Sequence, residues 1–352
     1  MRLAYLNILR YLNTHTVSPK HLRNRIRLMR GYQNRNTRIA AFPVVLQIEI
    51  TNRCNLECIM CPRQGITRPV GDMDPALFYK IIDEAAGKAE IAILHLLGES
   101  MLNPHLYEMI DYCCKAGIRT VLSTNATLLT EENAWRLRRS KLDVLILSLD
   151  GFYPETYEII RRNASYQKTR EKIERFLKLP PLNHPHTVIQ VIRMKETEGE
   201  LRNFLNFWKN YPVQALIKPF TRWQGDIASI NELDNHSNNS QIDGLRDKVC
   251  DRAWQWLTVY QDGTVVPCCR DYDGAYPVGN LKKASVNEVW NGELMVRFRE
   301  QHLQGREQVT ICHSCDYNPP IADSTLARLG LTLLDMYTVT RLMYDLEYGM
   351  EE

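Results

Sequence analysis

The chain of 352 residues has no apolar run approaching the roughly 18 residues a membrane span requires, and its N-terminus carries neither the apolar core nor the small-residue cleavage site of a secretory signal. A cytoplasmic protein is therefore expected. It also has no internal repeat and no low-complexity tract. Fibre and disorder are excluded, and the composition is that of a soluble globular protein, long enough for one catalytic domain and a small second one. Acidic side chains are missing altogether from residues 1–48, which carry Arg2, Arg10, Lys20, Arg23, Arg25, Arg27, Arg30, Arg35 and Arg38. The net charge of +3 thus hides a basic arm on a net acidic body. Such an arm suits a phosphate-bearing substrate, an anionic membrane face or nucleic acid, although a solvated basic helix is the plainer reading.

Cysteine, by contrast, is abundant. Ten cysteines in a compartment where disulfides do not persist point to metal or catalysis before crosslinks. Between them, from residue 44, short β-branched runs alternate with amphipathic helical stretches, the pattern of a parallel sheet built from βα units. The strands are expected at 44–50, 91–97, 119–123, 144–149, 187–193 and 215–220, with helices at 75–86, 104–116, 131–139 and 155–177. Six units are too few for a closed eight-fold barrel, and no Gly-rich dinucleotide turn is present, so a partial, curved (β/α)6 barrel of the α/β class is predicted. Its reactive groups belong at the C-terminal ends of the strands, and the first strand runs straight into Cys54.

The Asn/Ser-rich stretch 229–244 reads as a linker. Beyond it a hairpin is expected across Gln261-Asp262-Gly263, a helix over 285–302, and an amphipathic C-terminal helix over 325–347. The resulting division is a basic N-terminal extension (1–43), a barrel (44–228), a linker (229–249), a small cysteine-bearing domain (250–318) and a C-terminal helix (319–352).

Cys54, Cys58 and Cys61 supply three thiolates from one short loop, enough for three irons of a cubane cluster and leaving the fourth open to an external ligand. No histidine lies near enough to complete a zinc site. The pattern Cys-x3-Cys-x-apolar-Cys, with Met60 in the apolar position, resembles the radical S-adenosylmethionine (SAM) superfamily. The resemblance extends through the barrel: Leu97-Gly98-Glu99 is similar to that family's Gly-Gly-Glu segment, Thr124-Asn125-Ala126 to its Thr-Asn-Gly segment, and Ser148-Leu149-Asp150-Gly151 to its fourth-strand segment. Two glycines of those patterns are replaced here, by Leu97 and Ala126. The resemblance implies a four-iron, four-sulfur cluster on the three cysteines, with Gly98 and Glu99 meeting the methionyl end of SAM. It likewise implies SAM contacts for Asn125 and Ser148, and a carboxylate contact for Arg161. Such enzymes cleave SAM reductively to a 5'-deoxyadenosyl radical that abstracts hydrogen from a substrate, and they draw the electron from a carrier such as flavodoxin or ferredoxin.

Cys250, Cys268, Cys312 and Cys315 form a second, four-thiolate set, which by spacing suits either structural zinc or a second cluster. Gly263, Gly279-Asn280-Leu281 and Val289-Trp290 around them resemble the SPASM/twitch domain, which implies a cluster. With no cysteine after Cys315 the shorter twitch form, holding one auxiliary cluster, is expected. Cys113 and Cys114 read as packed thiols on a helix. Cys269 also reads first as a packed thiol, and is the weak candidate for a hydrogen-atom donor.

The function expected on this resemblance is dehydrogenation or epimerisation of a sugar, aminocyclitol or similar small polyol, the auxiliary cluster accepting an electron. Peptide modification is the alternative, and a non-enzymatic iron-sulfur carrier the reading from another class. His95, Arg193, Lys195, Lys218 and Arg222 stand at strand ends, and none is assigned as a base.

Overall fold

The computed structural model describes residues 19–180, 185–224, 227–234, 249–313 and 315–317. Six parallel strands appear where the alternation places them: β1 (Val45–Ile48), β2 (Ile91–Ile93), β3 (Arg119–Thr124), β4 (Val144–Ser148), β5 (His186–Ile192) and β6 (Gln214–Lys218). They lie side by side in sequence order and do not close on themselves. One face of this curved sheet carries Leu46, Ile48, Ala92, Leu122, Leu145, Leu147, Ile189 and Val191, all buried in the main core. At roughly 1.5–3 kcal/mol for each fully buried large aliphatic side chain, this face is the main source of the fold's stability.

The helices complete that core. Pro75–Ala85 starts on a capped turn, Asp74 accepting from the Ala76 N–H with Pro75 in the first helical position, and buries Leu77, Phe78, Ile81, Ile82 and Ala85 along one stripe. The helix expected over 155–177 is two, Pro154–Ile160 and Tyr166–Lys178. The break follows Arg161, and Asn163 takes the left-handed conformation (φ 72°) that asparagine tolerates better than most residues. The helix expected over 285–302 is likewise broken, into Val286–Trp290 and Glu293–Gln304, at Asn291-Gly292.

The hairpin is present as β7 (Trp256–Val259) and β8 (Thr264–Val266), followed by a short β9 (Gly279–Asn280). It does not form a sheet of its own. β7 pairs in parallel with β1, from Val45↔Trp256 to Ile48↔Val259, so one nine-stranded sheet runs β6-β5-β4-β3-β2-β1-β7-β8-β9. The pairing satisfies the backbone groups of β1 that would otherwise face outward.

The described part of the basic arm is a helix, Pro19–Gln33. It is fastened to the barrel by the buried Arg25–Glu90 ion pair and by Asn24, whose amide donates to Phe42 and Lys88 carbonyls. The C-terminal helix and most of the linker lie outside the described residues. Among the described residues no helix is long and apolar enough to cross a membrane. None of the ten cysteines is in a disulfide.

Candidate active site

The first cysteine loop hangs from the C-terminal rim of β1. Its backbone is pinned to the break between the two helices: Glu57 N–H donates to Arg162 O at 3.3 Å and Ile59 N–H to Ile160 O at 3.0 Å. Around the thiols, Leu56, Met60, Ile160, Met194, Phe220 and Ile230 form a small apolar cluster separate from the main core. Cys61 is pushed up to about 12 by burial and by its two neighbouring thiols. A free thiolate there is unfavourable, whereas binding to iron would hold the sulfurs deprotonated.

The Leu97-Gly98-Glu99 turn presses against this loop. A Cβ on Gly98 would stand 2.2 Å from Thr51 O, so only glycine permits the approach. Glu99 N–H donates to Arg53 O at 2.8 Å. The Glu99 carboxylate is buried and accepts from Asn125 N–H (2.7 Å), Thr124 O–H (2.9 Å) and Met101 N–H (3.1 Å). Burial raises its pKa while those donors lower it. All three donors are neutral, so the site holds a carboxylate without a direct cationic partner, which fits the ammonium group of SAM.

Asn125 does more than touch this carboxylate. Its amide donates to Asn55 Oδ1 in the cysteine loop (3.0 Å), and its Oδ1 accepts from Thr127. Ala126, where the family pattern has glycine, nevertheless adopts φ 62°. The missing glycine has therefore not changed the turn. Leu97, at the other replaced glycine, is buried, and its backbone helps to lower the Glu49 pKa against the effect of burial.

Arg161 turns back from the helix end. Its Nε donates to Asp150 Oδ2 at 2.8 Å and its Nη1 lies 3.6 Å from Cys58 Sγ. Asp150 is fully buried and also accepts from Ile192 N–H at 2.7 Å. Arg161 is thus already paired, with one nitrogen left toward the cysteines, and its pKa stays above the ordinary guanidinium value because Asp150 outweighs the cost of burial. Ser148 stands apart from these groups, on the inner face of the sheet, 3.2 Å from Ser123 Oγ and accepting from Gln190 at 3.2 Å.

The second cysteine set converges from three segments. Cys250, Cys268, Cys312 and Cys315 line a single cavity together with Arg252, Arg270, Arg306 and His302. His302 is buried, and neither ring nitrogen has a partner. Four thiols, a cationic wall and an orphaned imidazole fit an anionic cluster whose sulfides accept hydrogen bonds. Cys269 lies beside this cavity, with its Sγ 3.1 Å from Arg252 Nη1. It is pushed down to about 5 by the hydrogen bond from Cys268 and by Arg252, Arg270 and Lys218.

Arg68 ties the two halves together. It sits on the loop after the first cysteines, donates through Nη2 to Glu49 Oε1 (2.7 Å), and reaches Gln261 Oε1 (3.0 Å) and Tyr272 O (3.0 Å) in the second module. Its guanidinium also lies 3.9 Å from the Tyr260 ring centroid. Neither Arg68 nor Glu49 stands out in the sequence, because each is a lone charged residue whose partner is brought up only by the fold.

The radical SAM superfamily model matches residues 48–207, and the iron-sulfur cluster-binding domain SPASM matches residues 250–316. The chain belongs to the radical SAM superfamily. This radical SAM enzyme uses a four-iron cluster and SAM, with further iron-sulfur ligation in its SPASM domain. A curated relative is the tungsten-containing aldehyde ferredoxin oxidoreductase cofactor-modifying protein of Pyrococcus furiosus, 29% identical over 293 residues, covering 72% of this chain and 82% of that one. Among solved structures, BtrN in complex with AdoMet and 2-DOIA is similar with a TM-score of 0.53 at 19% identity, over 78% of this chain and 93% of that one. Streptococcus suis SuiB bound to precursor peptide SuiA gives a TM-score of 0.62 at 14% identity, over 81% and 73%. At these identities the two structures establish the fold and not the substrate.

Proposed function

We propose that this radical SAM enzyme carries out a two-electron oxidation of a small polar substrate, of the sugar, aminocyclitol or polyol kind. Bound on Cys54, Cys58 and Cys61, the first cluster with SAM supplies the 5'-deoxyadenosyl radical that removes one hydrogen atom from a substrate C–H. A hydroxyl on that carbon would lose its proton to a base, and a cluster held by Cys250, Cys268, Cys312 and Cys315 would supply the acceptor for the remaining electron, leaving a carbonyl. Glu99 holds the SAM ammonium, Gly98 allows its turn to approach, Asn125 locks the two loops, and Arg161 keeps positive charge beside Cys58. Ser148 serves the nearer polar groups of SAM.

The observation that carries this reading is the cavity of the second set. It brings four cysteines together, enough for all four ligand positions of one auxiliary cluster, which would leave no iron for substrate and would make electron transfer its available role. Replacing Cys312 and Cys315 by serine should then abolish carbonyl product while 5'-deoxyadenosine release continues. Carbonyl product from that variant, or a crosslinked peptide as the product of the native enzyme, would overturn it.

A further inference from the structure

The inner face of the sheet changes character along the strands. Its lower layer is largely apolar: the register sets Val45 beside Ile91, Ile93 beside Val121, Val121 beside Val144, and Ile146 beside Val188. Two or four residues nearer the rim, the same face carries Gln47, His95, Ser123, Ser148, Gln190 and Lys218, because strand residues alternate between faces. Thr258 belongs to this layer too, as the register partner of Gln47 on β7. Such a layer of inward-facing polar residues toward the C-terminal ends of the strands differs from the apolar packing of a filled barrel core. They share the inner face of the sheet, toward the strand ends from which the first cysteine loop hangs.

Two of these side chains each carry one polar atom without a partner. Gln47 Nε2 donates to His95 O at 3.0 Å, which fixes the amide orientation and leaves Oε1 as the free acceptor. Thr258 Oγ1 is also unpartnered, and the two residues are only 7% and 0% exposed. Beside them, His95 Nδ1 accepts from Ser123 N–H at 3.0 Å, so its proton is on Nε2 and that nitrogen is a donor. Burial, then the nearby Lys218 ammonium, lower its pKa to about 4, which keeps the ring neutral. Lys218 has no ion pair among the described residues, whereas Arg193 and Arg222 are paired with Glu198 and Asp234.

We propose that Gln47, Thr258, His95 and Lys218 form the recognition site for a small polyhydroxylated or amino-polyol molecule. Its hydroxyls donate to Gln47 Oε1 and Thr258 Oγ1 and accept from His95 Nε2 and Lys218 Nζ. An apolar side chain placed there would leave all four groups unpaired, so the site selects against it. The assignment rests on the radical reading for what happens to the molecule once bound, not for its binding.

The test uses the holoenzyme with both clusters and SAM, kept anaerobic, and follows thermal unfolding with myo-inositol or glucosamine as probe. At least one probe should raise the melting temperature saturably. Thr258→Val should melt at or above the wild-type temperature without probe, since it removes an orphaned buried polar atom, and Gln47→Leu, which removes one orphaned atom but also the bond to His95 O, should melt no more than slightly lower. Both should need at least tenfold more probe for the same shift. Three results would overturn the assignment: no response of the wild type to either probe, an undiminished response in both variants, or a melting temperature several degrees lower in both variants without probe. Release of 5'-deoxyadenosine on reduction, measured on the wild type in parallel, reports on the radical reading separately. Its absence would remove that chemistry and leave the binding result standing.

Discussion

Cys54, Cys58 and Cys61 come from one loop at the rim of β1, whereas Cys250, Cys268, Cys312 and Cys315 are gathered from three separate segments around an internal cavity. The first set is held by its neighbours in space, through the backbone bonds from Glu57 and Ile59 to the 160–162 segment. The second set helps to hold its own neighbours, because no local element fixes those four residues relative to each other. Three donors in an open loop leave an iron for a ligand from solution. Four donors around one cavity leave none. The difference teaches that ligand count and chain separation together divide a catalytic cluster from an electron-transfer one.

The largest test of that contrast is removal of the ligands. A Cys54/Cys58/Cys61 triple alanine variant should lose about half of roughly eight irons per chain and all SAM cleavage, with little change in melting temperature. A Cys250/Cys268 double alanine variant should lose the same share of iron and melt several degrees lower, because metal binding there is part of folding. Iron analysis and thermal melts check both, and equal thermal losses would erase the distinction. Next in size is the link between the two sites. Arg68→Ala strands a fully buried Glu49 carboxylate, and should cost about 3–5 kcal/mol of unfolding free energy in a denaturant titration. Arg68→Lys should recover only part of this, since a lysine cannot span both carboxylate oxygens and Gln261.

Within the first site, Glu99→Gln should weaken SAM binding by about ten- to hundred-fold, the equivalent of roughly 1.5–3 kcal/mol for a hydrogen bond to a charged group. Its iron content should not change, and calorimetric titration with SAM reads the loss. The smallest effect belongs to Ala126→Gly. Relief of the left-handed strain, about 1–2 kcal/mol, is set against a lost buried methyl of about 0.8 and the added chain entropy of about 0.5–1. Stability should therefore stay within about 1 kcal/mol of wild type, and a larger change in either direction would mean that the turn depends on the methyl.

The strands and the first cysteine loop were legible because both are local: period-two alternation sets the one, and a spacing within one loop sets the other. Glu99 and Gly98 were legible through their pattern, although the reason for glycine, the carbonyl of Thr51 in its way, emerges only from the packing. Arg161 was singled out by the pattern, but inside a helix expected to be continuous. The amphipathic periodicity runs through the break at Asn163, and only the backbone shows it. Asp150 took its meaning from Arg161, which no spacing rule pairs with it. The hairpin was legible and its attachment was not, since parallel pairing of β7 with β1 joins residues far apart in the chain. Gln47 and Thr258 passed unnoticed for a related reason: each is an ordinary polar residue in a strand until the register sets them side by side.

That register also orders events during synthesis. Strands β1 to β6 emerge from the ribosome in the order in which they pair, each finding its neighbour already made. The far side of β1 has no partner until residues 256–259 follow, so for most of translation the strand next to the catalytic loop is an open edge. Such an edge is a template for pairing with another chain. The late hairpin is therefore a safeguard for the nascent protein as well as the platform of its second cluster.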